Sequence, residues 1–173
     1  MASTLMPKRA AAVLAFALLA GCTEQAPTEP ETALVSAQSE PSLLECPTNQ
    51  TKSATAVVGA LGGTVSVDGS RITLPPGAVL EPTTITLTVP ASKYMEVDIT
   101  ANDAEHFDFV LPATVTISYA RCNRSNINQA PLTVWYIDSV LKTLLQNMGG
   151  FDNKLLRTVT FTTDHLSGYS IAE

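Results

Sequence analysis

The chain has 173 residues, with 10 lysines and arginines against 16 aspartates and glutamates, which gives a net charge of −6 at pH 7. Such a chain lacks the clustered cations that a phosphate backbone requires, so a nucleic-acid partner is excluded. Its two histidines disfavour most metal-dependent and acid–base enzymes. We therefore predict no cofactor.

The first 21 residues have the parts of an export signal. Lys8 and Arg9 form a positive region, and an apolar run follows over residues 10–20. This run is too short to span a bilayer, which takes ~20 apolar residues. The sequence Leu-Ala-Gly-Cys at 19–22 resembles the bacterial lipobox, which implies cleavage before Cys22 and acylation of its sulfur. A plain signal peptide with a chance cysteine, or a buried apolar helix, is the alternative.

Lipidation would define both the mature chain and its location. Lys8 and Arg9 leave with the signal, so the mature chain carries eight basic and sixteen acidic residues, a net charge of −8. A negative chain cannot hold an anionic membrane through a basic patch, whereas two or more acyl chains on Cys22 hold firmly. Thr23 follows Cys22, and by resemblance to the sorting rule of many Gram-negative bacteria this favours the outer membrane, facing either the periplasm or the surface.

Residues 22–50 are predicted to be a flexible acidic linker. Pro27, Pro30 and Pro41 interrupt a stretch rich in Thr, Ser and Glu that has no lysine or arginine before Lys52. This composition cannot bury enough apolar surface to offset the entropy of ordering. The folded domain is therefore predicted over residues 51–173.

Short β-type runs with turn residues between them fill that domain. Residues 83–89 alternate polar and apolar, and Asp68-Gly69 is a strong hairpin turn. No amphipathic helix is convincing. The pattern predicts an all-β fold, an antiparallel β-sandwich of about ten short strands. The predicted strands are 54–58, 64–67, 70–74, 83–89, 94–99, 107–110, 114–119, 132–137, 140–146, 155–163 and 169–172.

Cys46 and Cys122 remain once Cys22 is assigned to lipid. Disulfides persist outside the cytoplasm, so an even pair in an exported domain predicts one bridge. Two separate buried thiols are the alternative.

A family pattern is visible in two adjacent segments. Gly62-Gly63-Thr64-Val65 precedes a hairpin, and residues 72–79 read Ile-Thr-Leu-Pro-Pro-Gly-Ala-Val. These segments resemble the core signature of the ZU-five domain, which tight-junction scaffolds, netrin receptors and ankyrins share. Further motifs at 119–122, 135–138 and 164–169 resemble small bacterial lipoproteins built on this domain. In those proteins a cysteine near the domain start accompanies the one after the tyrosine, which implies that Cys46 pairs with Cys122.

His165-Leu166-Ser167 is the sharpest chemical motif. It resembles the self-cleaving turns of receptor autoproteolysis domains, in which the hydroxyl attacks the preceding carbonyl and the histidine assists. We instead favour a structural role, with an intact Leu166–Ser167 bond and a closing strand from Ser167 to Glu173. Self-cleavage is the alternative function.

Two acidic clusters are further candidates. Glu96 and Asp98 share the polar face of one predicted strand and are interpreted as exposed solubility charges, with a carbohydrate-binding or weak hydrolase site as the alternative. Glu105, His106 and Asp108 could bind a metal, but a solvated loop is preferred because strand alternation separates neighbouring side chains.

Trp135 and Tyr136 should point to opposite sides of their strand. We therefore predict a non-catalytic envelope module with a protein or glycan partner.

Overall fold

A computed structural model describes residues 40–123, 127 and 131–173. The predicted signal peptide, Cys22 and most of the linker lie outside these residues. The described part contains eleven strands and no helix. It therefore has no helix that is long and apolar enough to cross a membrane. The strands are β1 Lys52–Val58, β2 Gly63–Val67, β3 Ser70–Leu74, β4 Thr83–Val89, β5 Glu96–Ala101, β6 Asp108–Ser118, β7 Thr133–Ile137, β8 Leu144–Gly149, β9 Phe151–Asn153, β10 Thr158–His165 and β11 Gly168–Ala172.

The strands form two antiparallel sheets, which confirms the predicted all-β sandwich. The order in the larger sheet is β1-β4-β5-β11-β7-β8, and in the smaller sheet it is β2-β3-β6-β10-β9. The last strand in sequence, β11, therefore lies in the middle of the larger sheet. All five of its residues are buried.

Period-two alternation supplies the core between the sheets. In β4, Ile85, Leu87 and Val89 are buried, while the threonines between them are half-buried. Val115 and Ile117 of β6 are fully buried in the opposite sheet. Burial of each aliphatic side chain of this size contributes ~1.5–3 kcal/mol. These residues join one continuous hydrophobic cluster.

Left-handed backbone conformations fix two of the predicted turns. Asp68 and Gly69 have φ of 50° and 80°, as a two-residue hairpin turn with both central residues left-handed requires. Gly77 has φ of 83° after the two prolines that end β3. A Cβ on Gly62 would overlap the carbonyl oxygen of Leu74, so the chain approaches β3 here in a way that only glycine allows.

The two ends of the sandwich differ, and we name them by their contents. At the cystine end, Cys46 and Cys122 form a disulfide with their Cα atoms 4.9 Å apart, which confirms the predicted bridge. The 68–69 and 154–157 turns also lie at this end, as the strand registers show. The distal end carries the loops at 75–82, 102–107, 138–143 and 166–167.

The ordered domain includes residues that the sequence assigned to the linker. The N–H of Leu44 donates to Ile171 O at 2.8 Å, and Ser42 exchanges two backbone hydrogen bonds with Glu173. Leu44 is fully buried. The segment at 42–46 is thus packed against β11, several residues before the predicted boundary at residue 51.

Several strands differ from their predicted bounds. β10 was predicted over 155–163, but residues 155–157 lie in a turn and the strand is Thr158–His165. Residues 107–110 and 114–119 were predicted as separate runs, but β6 is continuous through Pro112. It tolerates the proline because its pairing with β10 shifts register between Thr163 and His165. β8 begins after a turn at 138–143 that the prediction had largely included in the strand. The short β9 was not predicted.

Candidate functional site

The distal end is strongly acidic. Lys142 is the only lysine or arginine among the described residues of this end. Seven carboxylates lie at the same end, not counting Glu96, which forms an ion pair with Lys142. This charge distribution disfavours anionic ligands. The seven carboxylates belong to Glu81, Asp98, Asp103, Glu105, Asp108, Asp138 and Asp164.

A cavity of about 170 Å³ opens in this end, and we call it the acidic cavity. Asp98 and Glu105 line it together with Ser139, Ser167 and Gly168, and with Ile99 and Thr100. The Ser139 hydroxyl donates to Asp98 Oδ1 at 3.3 Å. Gly168 leaves space for this pair, because a Cβ there would collide with Ser139 Oγ and lie 3.0 Å from Asp98 Oδ1.

Asp98 is the electrostatically perturbed group of the acidic cavity. Burial raises the pKa of its carboxyl, and the negative charge of nearby Glu96 raises it further. The Lys142 charge and the Ser139 hydrogen bond act in the opposite direction. The net effect favours the protonated carboxyl more than in an exposed aspartate.

Glu96 does not belong to this cavity, and its predicted exposure is wrong. Only 1% of its side chain is exposed, and Lys142 Nζ donates to its Oε2 at 2.7 Å. Alternation correctly placed Glu96 and Asp98 on one face, but it could not show that a lysine 46 residues later covers the carboxylate. The two carboxylates therefore do not form an open pair of the kind that glycoside hydrolysis uses.

The β7–β8 turn delivers that lysine. Asp138 Oδ1 accepts the N–H groups of Val140 and Leu141 at 2.8 and 2.7 Å. These bonds lower the pKa of Asp138. Lys142 itself has φ of 56° and donates its N–H to Asp138 O at 2.8 Å. The aspartate before the loop is the sequence signal that could have revealed this turn.

The His165-Leu166-Ser167 motif lies where the chain crosses from β10 to β11. His165 Nδ1 lies 3.0 Å from Asp164 Oδ1, and its ring packs edge-on against Tyr136. Leu166 is fully buried, and its N–H donates to Phe107 O at 2.9 Å. Ser167 O accepts the N–H of Ile99 at 3.2 Å. Both residues of the candidate bond thus have backbone hydrogen bonds that hold the crossing in place.

Neither residue of that bond has the left-handed backbone conformation that would indicate strain. Tyr169 closes the crossing from the other side by donating its hydroxyl to His165 O at 2.6 Å. Burial raises the pKa of Tyr169 to about 12, so this hydroxyl keeps its proton at neutral pH. Residues 165–167 thus form a turn that is fixed by hydrogen bonds on both sides.

The other predicted candidates do not form a common site. In the 102–107 loop, His106 Nε2 lies 3.4 Å from Asp108 Oδ1, and both side chains are exposed. Across the part of the chain that the structure describes, no group of three His, Cys, Asp or Glu residues could hold a metal ion. Trp135 and Tyr136 point to opposite faces as predicted, and Tyr136 packs against the core.

Arg121 is a structural hub that sequence reasoning missed. Its guanidinium donates to Pro47 O at 3.0 Å, to Ser92 O at 3.1 Å and to Asn49 Oδ1 at 2.6 Å. It also donates to Tyr94 O at 2.5 Å. Arg121 therefore reinforces the neighbouring disulfide in holding the N-terminal segment to the cystine end.

No family model matches this chain, and no curated protein is significantly similar to it.

Proposed function

We propose that this protein is a lipid-anchored component of a bacterial cell envelope and that its β-sandwich is a non-catalytic interaction or structural module. The observation that carries the proposal is the disulfide between Cys46 and Cys122. Such bonds persist in oxidising compartments outside the cytoplasm and are rare within it. The disulfide therefore agrees with export of the domain by an N-terminal signal.

The first 22 residues support the lipid anchor. Positive residues, a short apolar run and a cysteine after small residues agree with a lipoprotein signal and with acylation of Cys22. Thr23 favours the outer membrane, and the motifs at 62–65 and 72–79 support a ZU-five-like domain. In this proposal residues between Cys22 and the packed segment at 42–46 connect the lipid to the sandwich.

The non-catalytic role is supported by how the candidate groups are used. The Glu96 carboxylate accepts a hydrogen bond from Lys142, and Asp164 lies beside the imidazole of His165. The remaining distinctive surface is the acidic distal end. A protein or glycan partner in the envelope would meet this end, whereas nucleic acid would be repelled by it.

Metabolic labelling with a palmitate analogue, followed by membrane fractionation, tests the anchor. The unmodified chain should be labelled and membrane-bound, and Cys22→Ser should lose both properties. The matched control is the double variant Cys46→Ala/Cys122→Ala, which removes two cysteines but should keep the label. Equal membrane retention of Cys22→Ser and the unmodified chain would overturn the proposal.

A further inference from the structure

The turn between β9 and β10, residues 154–157, exposes two adjacent leucines, and we call it the leucine turn. Leu155 is 93% exposed and Leu156 is 65% exposed. Single exposed apolar residues are ordinary on protein surfaces. Turn positions are, however, usually filled by Gly, Pro, Asn, Asp or Ser, so the conformation does not call for leucine at either place.

The base of the leucine turn is tied firmly to the domain. Asn153 Oδ1 accepts the N–H of Leu156 at 3.0 Å, and Arg157 O accepts the N–H of Tyr119 at 2.8 Å. Lys154 Nζ donates to the carbonyl of Ile127 at 2.9 Å. The polar groups of the turn are thus engaged at its base, while the two leucine side chains are presented to solvent on a fixed support.

The leucine turn lies at the cystine end, beside the segment through which the chain joins the domain. Arg157 Nη1 donates to Cys122 O at 3.3 Å, and Cys122 is bonded to Cys46. Lys154 and Arg157 flank the leucines directly, and Lys93 and Arg121 lie at the same end. Ion pairs of Lys154 with Asp152 and of Lys93 with Glu45 offset part of this positive charge, but this end lacks the strong net negative charge of the distal end. Of the two ends, the cystine end is therefore the better suited to a surface of acyl chains beneath anionic headgroups.

The length of chain before the domain determines which surface is within reach. Seventeen residues lie between Cys22 and Glu40, and the flexible linker that their composition predicts would span roughly 21–25 Å. If Cys22 is lipidated, the cystine end is held within that distance of the bilayer. Such a connection supplies an effective concentration on the order of millimolar, so contacts too weak to bind membranes alone become significant.

We propose that the leucine turn inserts into the surface of the bilayer that holds the lipid on Cys22. This inference rests on the proposed lipid anchor and deepens it, because it assigns an orientation to the domain. The cystine end would face the membrane. The acidic cavity, at the opposite end, would then open away from it.

The test places a fluorophore at each end of the full-length lipidated protein. Leu155→Cys carries an environment-sensitive label at the leucine turn. The matched control is Leu141→Cys, which labels another exposed leucine in the turn at the distal end. Both proteins are reconstituted into phosphatidylethanolamine–phosphatidylglycerol vesicles that contain nitroxide-labelled lipid.

We expect the label at 155 to emit at shorter wavelength and to lose several-fold more emission to the nitroxide than the label at 141. If the protein binds vesicles but both labels emit at the wavelength they have in water and are quenched equally by the nitroxide, the docking proposal is overturned and the anchor stands. Failure of the protein to sediment with vesicles would overturn both. A wavelength shift that follows protein concentration and ignores the nitroxide would indicate a second copy at this surface, and would also overturn the proposal.

Discussion

Replacing Lys142 with methionine should test whether the buried Glu96 carboxylate depends on its partner. The Glu96 side chain is 1% exposed and the Lys142 side chain 30% exposed. Loss of one member of a buried ion pair costs ~3–5 kcal/mol because the other charge stays buried without compensation. Since the lysine side is partly open, water would reach the carboxylate, and we expect the lower end of that range, about 3 kcal/mol.

The two halves of the pair should respond unequally. Glu96→Gln removes the buried charge, and Lys142 then turns to solvent, so we expect a loss of about 1 kcal/mol, the size of one hydrogen bond. The double variant should resemble Glu96→Gln alone. The double-mutant cycle then gives a coupling energy of about 3 kcal/mol.

Urea unfolding followed by the fluorescence of Trp135 measures these free energies. The control is Lys93→Met, which removes an exposed pair with Glu45 whose side chains are both 55% exposed. That change should cost ~0–1 kcal/mol. If Lys142→Met costs no more than Lys93→Met, or if the cycle shows no coupling, then Lys142 does not compensate the buried charge of Glu96.

Three other predictions concern the bridge, the acidic cavity and the crossing. Replacing Cys46 and Cys122 with alanine should lower the unfolding free energy by up to ~4.5 kcal/mol, the chain-entropy value for a separation of 76 residues, in the same titration. Asp98→Asn should stabilise the protein near neutral pH but not at about pH 3, measured by unfolding at both pH values. Burial raises the folded-state pKa of Asp98, so its contribution to stability is present below the unfolded pKa and is lost as the pH rises through the folded one. Intact mass under denaturing conditions should show an unbroken Leu166–Ser167 bond, and loss of a 167–173 heptapeptide that Ser167→Ala prevents would contradict this.

The sequence predicted most of the sandwich because local signals and burial agree there. Residues 83–89 alternate cleanly, and the strand occupies those residues. Asp68-Gly69 specifies its turn through the conformations that the two residues accept. β9 was missed because three residues carry too little periodicity to register. The segment at 42–46 was missed because its order comes from pairing with β11, far away in sequence.

The candidate site was less predictable for the same reason. Alternation placed Glu96 and Asp98 on one face, but their different environments depend on the 138–143 turn folding over one of them. Ser167 was correctly placed at the entry to the last strand, whereas His165 ends the strand before it. Their bracing by Phe107 and Ile99 requires the neighbouring strand and loop to be in position. Pairings across many residues set the chemistry, and a local pattern does not contain them.

The central position of β11 has a consequence for the order of folding. The larger sheet stays divided into two parts until the last residues of the chain enter between β5 and β7. The segment at 42–46 also cannot pack until this strand is in place, because Leu44 donates its backbone N–H to Ile171 O. Contacts between distant parts of a chain form late and slowly. For a chain that we propose is threaded across a membrane from its N-terminus, the larger sheet can therefore close only after β11 has passed through.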